Sequence, residues 1–391
     1  MQAGGNRSLV LETLRRLSPC SRADLRQATG LHISTVANIV DELIQADLVE
    51  EVGTGDSSGG RKPQLLRLKT DRLFAVSAVV QYGKIEVGLC DMEGVVRHRT
   101  GFKLPKRVAP EDAMEQLSDV IDHTLRTSEA TGDHVLGVAV AVPGPLDADQ
   151  GVLLTPPNLP GWRGFPIRRT LQNLLRLPVA VQKDGHLAAF AEVWFGRQHV
   201  NHLLFIMLDE GLGGGLVMNG QLVTRAVEIG HMTIRMDGKS CNCGGRGCLE
   251  LYASGIAWRQ NVAARKADDA VTDFSLDDLL AMAEAGDADA LGALEEVAWH
   301  LGVGIGNFIN LYNPEVIVLG GRLGSAGVFP HGTLLAAARQ YAYEDLMRKT
   351  AVETSALKSD ALLLGAAAHV FAQMFQNPAV LLRPGERWAN A

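Results

Sequence analysis

One imidazole and three thiols carry the sharpest chemistry in this chain: His231, then Cys241, Cys243 and Cys248 within eight residues of one another. Thiolate and imidazole are the donors Zn2+ prefers, and a Cys3His set closes a tetrahedral site without a position for water. The run Cys243-Gly-Gly-Arg-Gly-Cys248 supplies the glycines that let a backbone turn tightly enough to aim several sulfurs at one point. A disulfide or inert buried thiols are the other readings of such residues. Neighbouring Cys-x-Cys residues pair poorly with each other, however, and one histidine with three thiols accounts for every group. The spacing therefore predicts a structural zinc on His231, Cys241, Cys243 and Cys248. Glu228 and Glu250 flank this knot.

A second patch of chemistry lies near the N-terminus. His32, Ser34, Thr35 and Asn38 open an apolar-striped segment, 33–46, whose Val36, Ile39, Val40 and Leu43 recur at helical spacing. A shorter helix precedes it, started by Ser21 with Asp24 as its capping partner, and the two are joined by Thr29-Gly30-Leu31. That is a helix-turn-helix pattern, and Ser34, Thr35 and Asn38 are small polar groups able to approach base edges in a major groove. Segments 48–52 and 64–68 read as two strands enclosing a Gly/Ser-rich tip with Arg61-Lys62-Pro63. This is a wing whose cations, Arg61 and Lys62, can reach phosphate. A small helical interaction module is the alternative for such a unit.

The elements that must position the zinc knot are α/β in texture. Segments 73–80, 84–91 and 95–103 read as strands with tight turns, followed by a helix over 110–130 and an apolar strand at 135–142. The order recurs as strand 203–209, a Gly-rich turn, strand 216–219, helices and the apolar strand 316–319. A duplicated α/β lobe follows, and strand ends facing a cleft between halves are where ligands sit. Strand 179–182 ends at Lys183-Asp184 beside a helix start, where a carboxylate is favoured electrostatically and, taken alone, reads as a cap. Gly302, Gly304 and Gly306 fall inside a long helix, 289–311, and signal close packing rather than a phosphate loop.

Composition bounds the function. With 391 residues, 47% apolar and 21% charged, the chain is ordinary for a globular protein of two or three domains. Its net charge of -7 is uneven: residues 1–70 carry nine Lys/Arg against eight Asp/Glu, so the acidity lies in the remainder. An acidic body with a near-neutral head is compatible with one DNA-binding face. Neither a leader nor an apolar segment of spanning length is evident, and Cys20 and Cys90 read as isolated reduced thiols, so a cytoplasmic protein without membrane contact is expected.

Four segments together resemble the ROK family of repressors and sugar kinases. They are the zinc motif, Gly137-Val-Ala-Val-Ala-Val-Pro143-Gly144-Pro145, Asn158-Leu-Pro-Gly-Trp162, and Pro314-Glu-Val-Ile-Val-Leu-Gly320-Gly321. With the helical head in front, the chain resembles the repressor branch. The resemblance implies an actin-like, ribonuclease-H-like two-lobed ATPase fold behind an N-terminal all-α winged helix-turn-helix. It also implies that Asn158, Asp184, Glu228, His231 and Glu250 contact a sugar, with one ring nitrogen of His231 on metal and the other toward a hydroxyl.

The kinase part of that inheritance is degraded. The family's first phosphate loop begins Asp-x-Gly-Gly-Thr, twelve residues before a second aspartate. Registering the latter on Asp91 puts Val79 at the first Asp, Gln81 and Tyr82 at the glycines, and Gly83 at the threonine. The family's second loop, Gly-Thr-Gly, reads here Asp209-Glu210-Gly211. Two carboxylates beside a polyphosphate would repel it by about 3–4 kcal/mol each at 4–5 Å and effective dielectric 20. Catalysis by positioning and charge neutralisation is then lost, no ATP is expected, and Asp184, the family's base, survives as a sugar contact. Lys183 stands where the family has Asn; it either pairs with Asp184 or a neighbouring helix end, or recognises an anionic sugar such as a sugar phosphate or uronate.

The expected organisation is a winged helix-turn-helix at 1–70, a first lobe at 71–182 completed by a C-terminal helix at about 361–391, and a second lobe at 183–360 with the zinc motif and an oligomerisation surface. The expected activity is a sugar-responsive repressor that binds operator DNA as a homodimer or homotetramer. A sugar kinase with an appended DNA-binding domain is the enzyme alternative. A regulator controlled by a protein partner is a third.

Overall fold

A computed structural model describes residues 2–376 apart from 56–61, 71–72, 82, 106, 129, 131–134, 157–158, 160, 197–199 and 226. Arg61, Tyr82 and Asn158 therefore lie outside the described residues. The chain divides into two compact units, one of residues 1–182 with 366–391, the other Lys183–Gly365.

The first unit opens with three helices, Gln2–Leu17, Arg22–Thr29 and Ile33–Gln45. Ser21 and Asp24 form the reciprocal capping box expected from their spacing, and Gly30 closes the second helix at φ 68°. Val36, Ile39, Val40 and Leu43 are the buried face of the third. The head is not all-α. Strands Val49–Thr54 and Gln64–Leu68 pair antiparallel, and Cys20–Ser21 adds a third strand by pairing with Leu65 and Leu66. Pro19 stops the first helix and Arg22 begins the next, so Cys20 and Ser21 between them run extended, where both are buried.

The rest of the first unit is a five-stranded sheet. Phe74–Gln81, Lys84–Asp91 and Val96–Lys103 form an antiparallel meander, and Val135–Val142 returns parallel to Phe74–Gln81. Val179–Lys183 is the outer neighbour of Val135–Val142. Helices Pro110–Thr127 and Ile167–Leu175 bury Leu117, Ile121, Ile167 and Leu171 against alternate sheet residues Val76, Ala78 and Val80.

The second unit repeats this topology. Leu203–Leu208, Leu212–Met218 and Gln221–Leu222 are its meander, Val316–Gly320 returns parallel to Leu203–Leu208, and Ala351–Thr354 lies outside that. Leu204, Ile206 and Leu208 face helices Gly255–Lys266 and Ala288–Tyr312, while Leu203 and Phe205 face Ala188, Ala189 and Val193. Burial on both faces is why the sheet residues are nearly all apolar. The expected duplication is present in strand order, neighbour for neighbour.

Two expectations about glycines resolve differently. Gly302 and Gly304 do pack closely: a Cβ there would lie 2.3 Å from the Leu334 carbonyl oxygen and 2.5 Å from the Leu249 side chain. Gly213, Gly214 and Gly215, read as a turn, are instead inside the strand Leu212–Met218. A Cβ at Gly215 would stand 2.2 Å from the Gly185 carbonyl oxygen, and one at Gly185 2.6 Å from that of Gly214. The strand is glycine-rich because the start of helix Asp184–Ala191 presses onto it. Among the described residues no helix is long and apolar enough to cross a membrane.

Candidate functional site

The close fit of Gly185 against Gly214 and Gly215 sets down Lys183 and Asp184 at a strand end. Asp184 is the first residue of its helix rather than a cap, and its Oδ1 accepts the N–H of Gly185 at 2.6 Å. The residue is half-buried. Burial around the carboxylate raises its pKa to about 6, against the Gly185 N–H and Lys183, with Glu228 and Asp209 adding to the rise. Lys183, its side chain only 9% exposed, donates from Nζ to Glu228 Oε1 at 2.7 Å. The ammonium thus meets Glu228 across 45 residues of sequence rather than Asp184 beside it. Nearby His186 is pushed down to about 4, first by burial and then by Lys183.

Glu228 leads into the 3-10 turn Ile229–His231. Only glycine fits at position 230, since a Cβ there would lie 2.3 Å from the Leu212 carbonyl oxygen. The turn delivers His231 to the cysteines. Its Nδ1 is 3.7 Å from Cys241 Sγ, and Cys243 Sγ is 3.7 Å from Cys248 Sγ. All four donor atoms lie within 4.8 Å of one another. A tetrahedral zinc with sulfur at about 2.3 Å demands donor separations of about 3.8 Å, so the residues fit the metal that their types suggest.

Backbone bonds build this cradle. Cys241 N–H donates to Gly245 O at 2.9 Å, Gly244 N–H to Cys241 O at 3.0 Å, and Ile234 N–H to Gly247 O at 2.9 Å. At Gly247, with φ 67°, a Cβ would fall 1.6 Å from Arg235 O. Gly245 N–H supports a thiolate on exposed Cys243 and lowers its pKa, whereas burial and then the neighbouring sulfurs push Cys248 up to about 12. A divalent cation at this point would relieve the crowding that holds Cys248 protonated. These four residues would hold a zinc ion with four protein donors, and the metal would supply structure rather than activate water.

The turn Leu249–Leu251 follows Cys248 directly and places Glu250 against the same histidine, with Oε2 4.0 Å from His231 Nδ1. Glu250 Oε1 accepts the N–H of Leu212 at 3.1 Å. Lys183, Asp184, Glu228, His231 and Glu250 thus converge within one unit on the start of the glycine strand.

The acidic loop 209–211 carries partners that the sequence reading did not include. Asp209 is bound by Arg322 through Nη2 at 2.6 Å and Nε at 3.1 and 3.2 Å, and Glu210 by Arg259 Nη2 at 2.8 and 3.0 Å. Burial opposes the charge on Asp209, but Arg322 holds its pKa below the usual carboxylate value. The signal available in the sequence was the acid pair itself, since adjacent carboxylates at a sheet end need bases.

In the head, Ser34 and Asn38 are exposed on the first turns of helix Ile33–Gln45, and Thr35 is half-buried. His32 caps that helix, its Nδ1 2.8 Å from Ser34 Oγ. Lys62 is exposed in the described part of the hairpin tip. Arg22 bridges Asp41 at 3.0 Å and Glu51 at 3.1 Å, tying the helices to the hairpin.

The ROK family profile matches residues 81–373. The xylose repressor of Bacillus subtilis (strain 168) is 32% identical over 321 residues, 80% of this chain and 81% of its own. A solved ROK family transcriptional regulator, a homologue of the Escherichia coli Mlc protein, superposes with TM-score 0.83 at 27% identity, covering 97% of this chain and 99% of that one. The ROK hexokinase of Thermus thermophilus superposes with TM-score 0.64 at 28% identity, over 77% of this chain and 99% of its own. The hexokinase matches without the full length of this chain, whereas the regulator spans almost all of it. The chain belongs to the ROK family, on its repressor branch.

Proposed function

We propose that this protein is a sugar-responsive transcriptional repressor. Residues 1–70 form a winged helix-turn-helix that reads operator DNA, with Ser34, Thr35 and Asn38 toward bases and Arg61 and Lys62 toward phosphate. A sugar binds at Lys183, Asp184, Glu228, His231 and Glu250, beside a structural Zn2+ on His231, Cys241, Cys243 and Cys248. The chain works as a homodimer or homotetramer, because palindromic half-sites need paired heads.

The observation that carries this reading is the convergence of three carboxylates, a lysine and a zinc-knot histidine on one strand end. Carboxylates accept sugar hydroxyls, and His231 Nδ1 on the metal side leaves Nε2 for another. The zinc holds the histidine in that orientation. To change operator affinity a hundredfold, the sugar must favour one conformation by about 2.7 kcal/mol, within reach of a few differential hydrogen bonds.

A sugar kinase with the same head is the second reading, favoured by the likeness to the Thermus thermophilus hexokinase. Against it, Val79 at the position of the magnesium-organising aspartate is buried in a strand, and Gln81 pairs with Lys84 across the hairpin. Asp209 and Glu210 are each committed to an arginine. Purified protein with Mg-ATP and a panel of sugars separates the two. Titration heat with at least one sugar and no ADP release is the repressor's result; sugar-dependent ADP release is the kinase's.

A further inference from the structure

The loop Asp209-Glu210-Gly211 is gripped from three sides. Gly255 N–H and Ile256 N–H, opening the helix Gly255–Lys266, donate to the carbonyls of Asp209 at 2.8 Å and Glu210 at 3.0 Å. Arg322 takes both carboxylate oxygens of Asp209 and also reaches Asp277 at 3.2 Å. Arg259 holds both oxygens of Glu210 and donates to the Phe274 carbonyl at 2.5 Å. The fourth side is Glu250. Its Oε1 accepts Leu212 N–H at 3.1 Å, and a Cβ at Gly211 would lie 2.5 Å from that oxygen. The missing side chain of Gly211 thus leaves the space that Oε1 occupies, so the seat of Glu250 depends on where the loop stands.

Two backbone bonds already anchor the loop, so the arginines add something besides closure. Arg322 engages Asp209 through two nitrogens, a fork that fixes direction as well as distance, and Arg259 Nη2 spans both oxygens of Glu210 while its Nε is held by the Phe274 carbonyl. We propose that Arg322 and Arg259, acting through Asp209 and Glu210, are positioning residues for Glu250. They fix its Oε1 on Leu212 and so direct Oε2 toward His231 and an effector hydroxyl. Only the last step rests on the effector reading above; the link from arginine to Glu250 is independent of any sugar.

The experiment uses the full zinc-loaded chain in two arms. In the first, amide hydrogen exchange is followed at Leu212 in wild type, Arg259→Gln and Arg322→Gln. Exchange at Leu212 is expected to quicken about tenfold while amides of residues 204–206 in the same sheet stay unchanged. The exchanged pair Glu210→Arg with Arg259→Glu should restore protection, and Arg322→Lys, which keeps charge without the fork, should fall between. Unchanged exchange at Leu212 in both glutamine variants overturns the proposal. In the second arm, xylose and glucose are titrated calorimetrically. Arg259→Gln should weaken whichever sugar the wild type binds by about tenfold, with no further loss in a Glu250→Gln background. Equal loss in both backgrounds overturns the positioning role. Failure of the wild type to bind either sugar counts against the effector reading and leaves the exchange arm to decide the positioning.

Discussion

Lys183 and Glu228 meet at 2.7 Å, and the two sides of that pair are unequally exposed, 9% for the lysine side chain and 41% for the glutamate. Removing one charge therefore costs differently from removing the other. Glu228→Gln takes the carboxylate charge away from a largely buried ammonium and should lose about 2 kcal/mol of stability. Lys183→Met keeps the packed stem and leaves a carboxylate that solvent can reach, for a cost of about 1 kcal/mol or less. Urea denaturation orders the two; a larger loss for Lys183→Met would contradict the geometry. The same pair bears on the effector. With Asp184 and Glu228 facing one ammonium, neutral sugars should bind more tightly than their 6-phosphates in titration calorimetry.

The proposed zinc and sugar sites share His231, so they should fail together. Cys243→Ala is expected to bind no zinc by elemental analysis, where the wild type holds one per chain, and to lose its response to sugar. Unchanged sugar affinity in the metal-free protein would refute the coupling.

Asp184 gives a pH signature of definite sign. Its folded pKa of about 6 lies above the ordinary 3.8, so the folded state binds more protons than the unfolded one between those values. Stability should fall as pH rises through that window, by up to about 1.4 kcal/mol per unit, and Asp184→Asn should flatten the slope. Sugar affinity should run the other way, because the ionised carboxylate is the acceptor: present above pH 6 and weakening below it. Thermal melts and titrations from pH 4 to 8 read both; a slope identical in Asp184→Asn would remove the carboxylate as its source.

Helix Asp184–Ala191 and the glycine strand leave no space between them. Gly215→Ala places a methyl 2.2 Å from Gly185 O and should destabilise by about 3 kcal/mol or more, with sugar affinity lost in parallel. An alanine variant of wild-type stability would mean that the close approach is not needed.

Much of this was legible in residue spacing because the forces involved are local. Ser21 and Asp24 announce a capping box, apolar alternation announces the two sheets, and the cysteines with His231 announce their own meeting. The glycine strand was not legible. Gly213-Gly214-Gly215 reads as a turn until the helix pressing on it from residues 184–191 is known, and that contact is set by tertiary packing. Arg259 and Arg322 escaped for the same reason: their acids stand 49 and 113 residues away. Lys183 was open between Asp184, a helix end and an anionic sugar, and only the folded chain brings Glu228 within reach.

A DNA-binding head that answers to a sugar should show itself in a mobility shift with the full chain and duplex DNA from upstream of its own gene. Xylose, glucose and their phosphates are added in turn. The account expects a specific complex whose affinity changes about a hundredfold with one of the sugars. No specific complex, or one indifferent to every sugar while Mg-ATP is turned over, would contradict it.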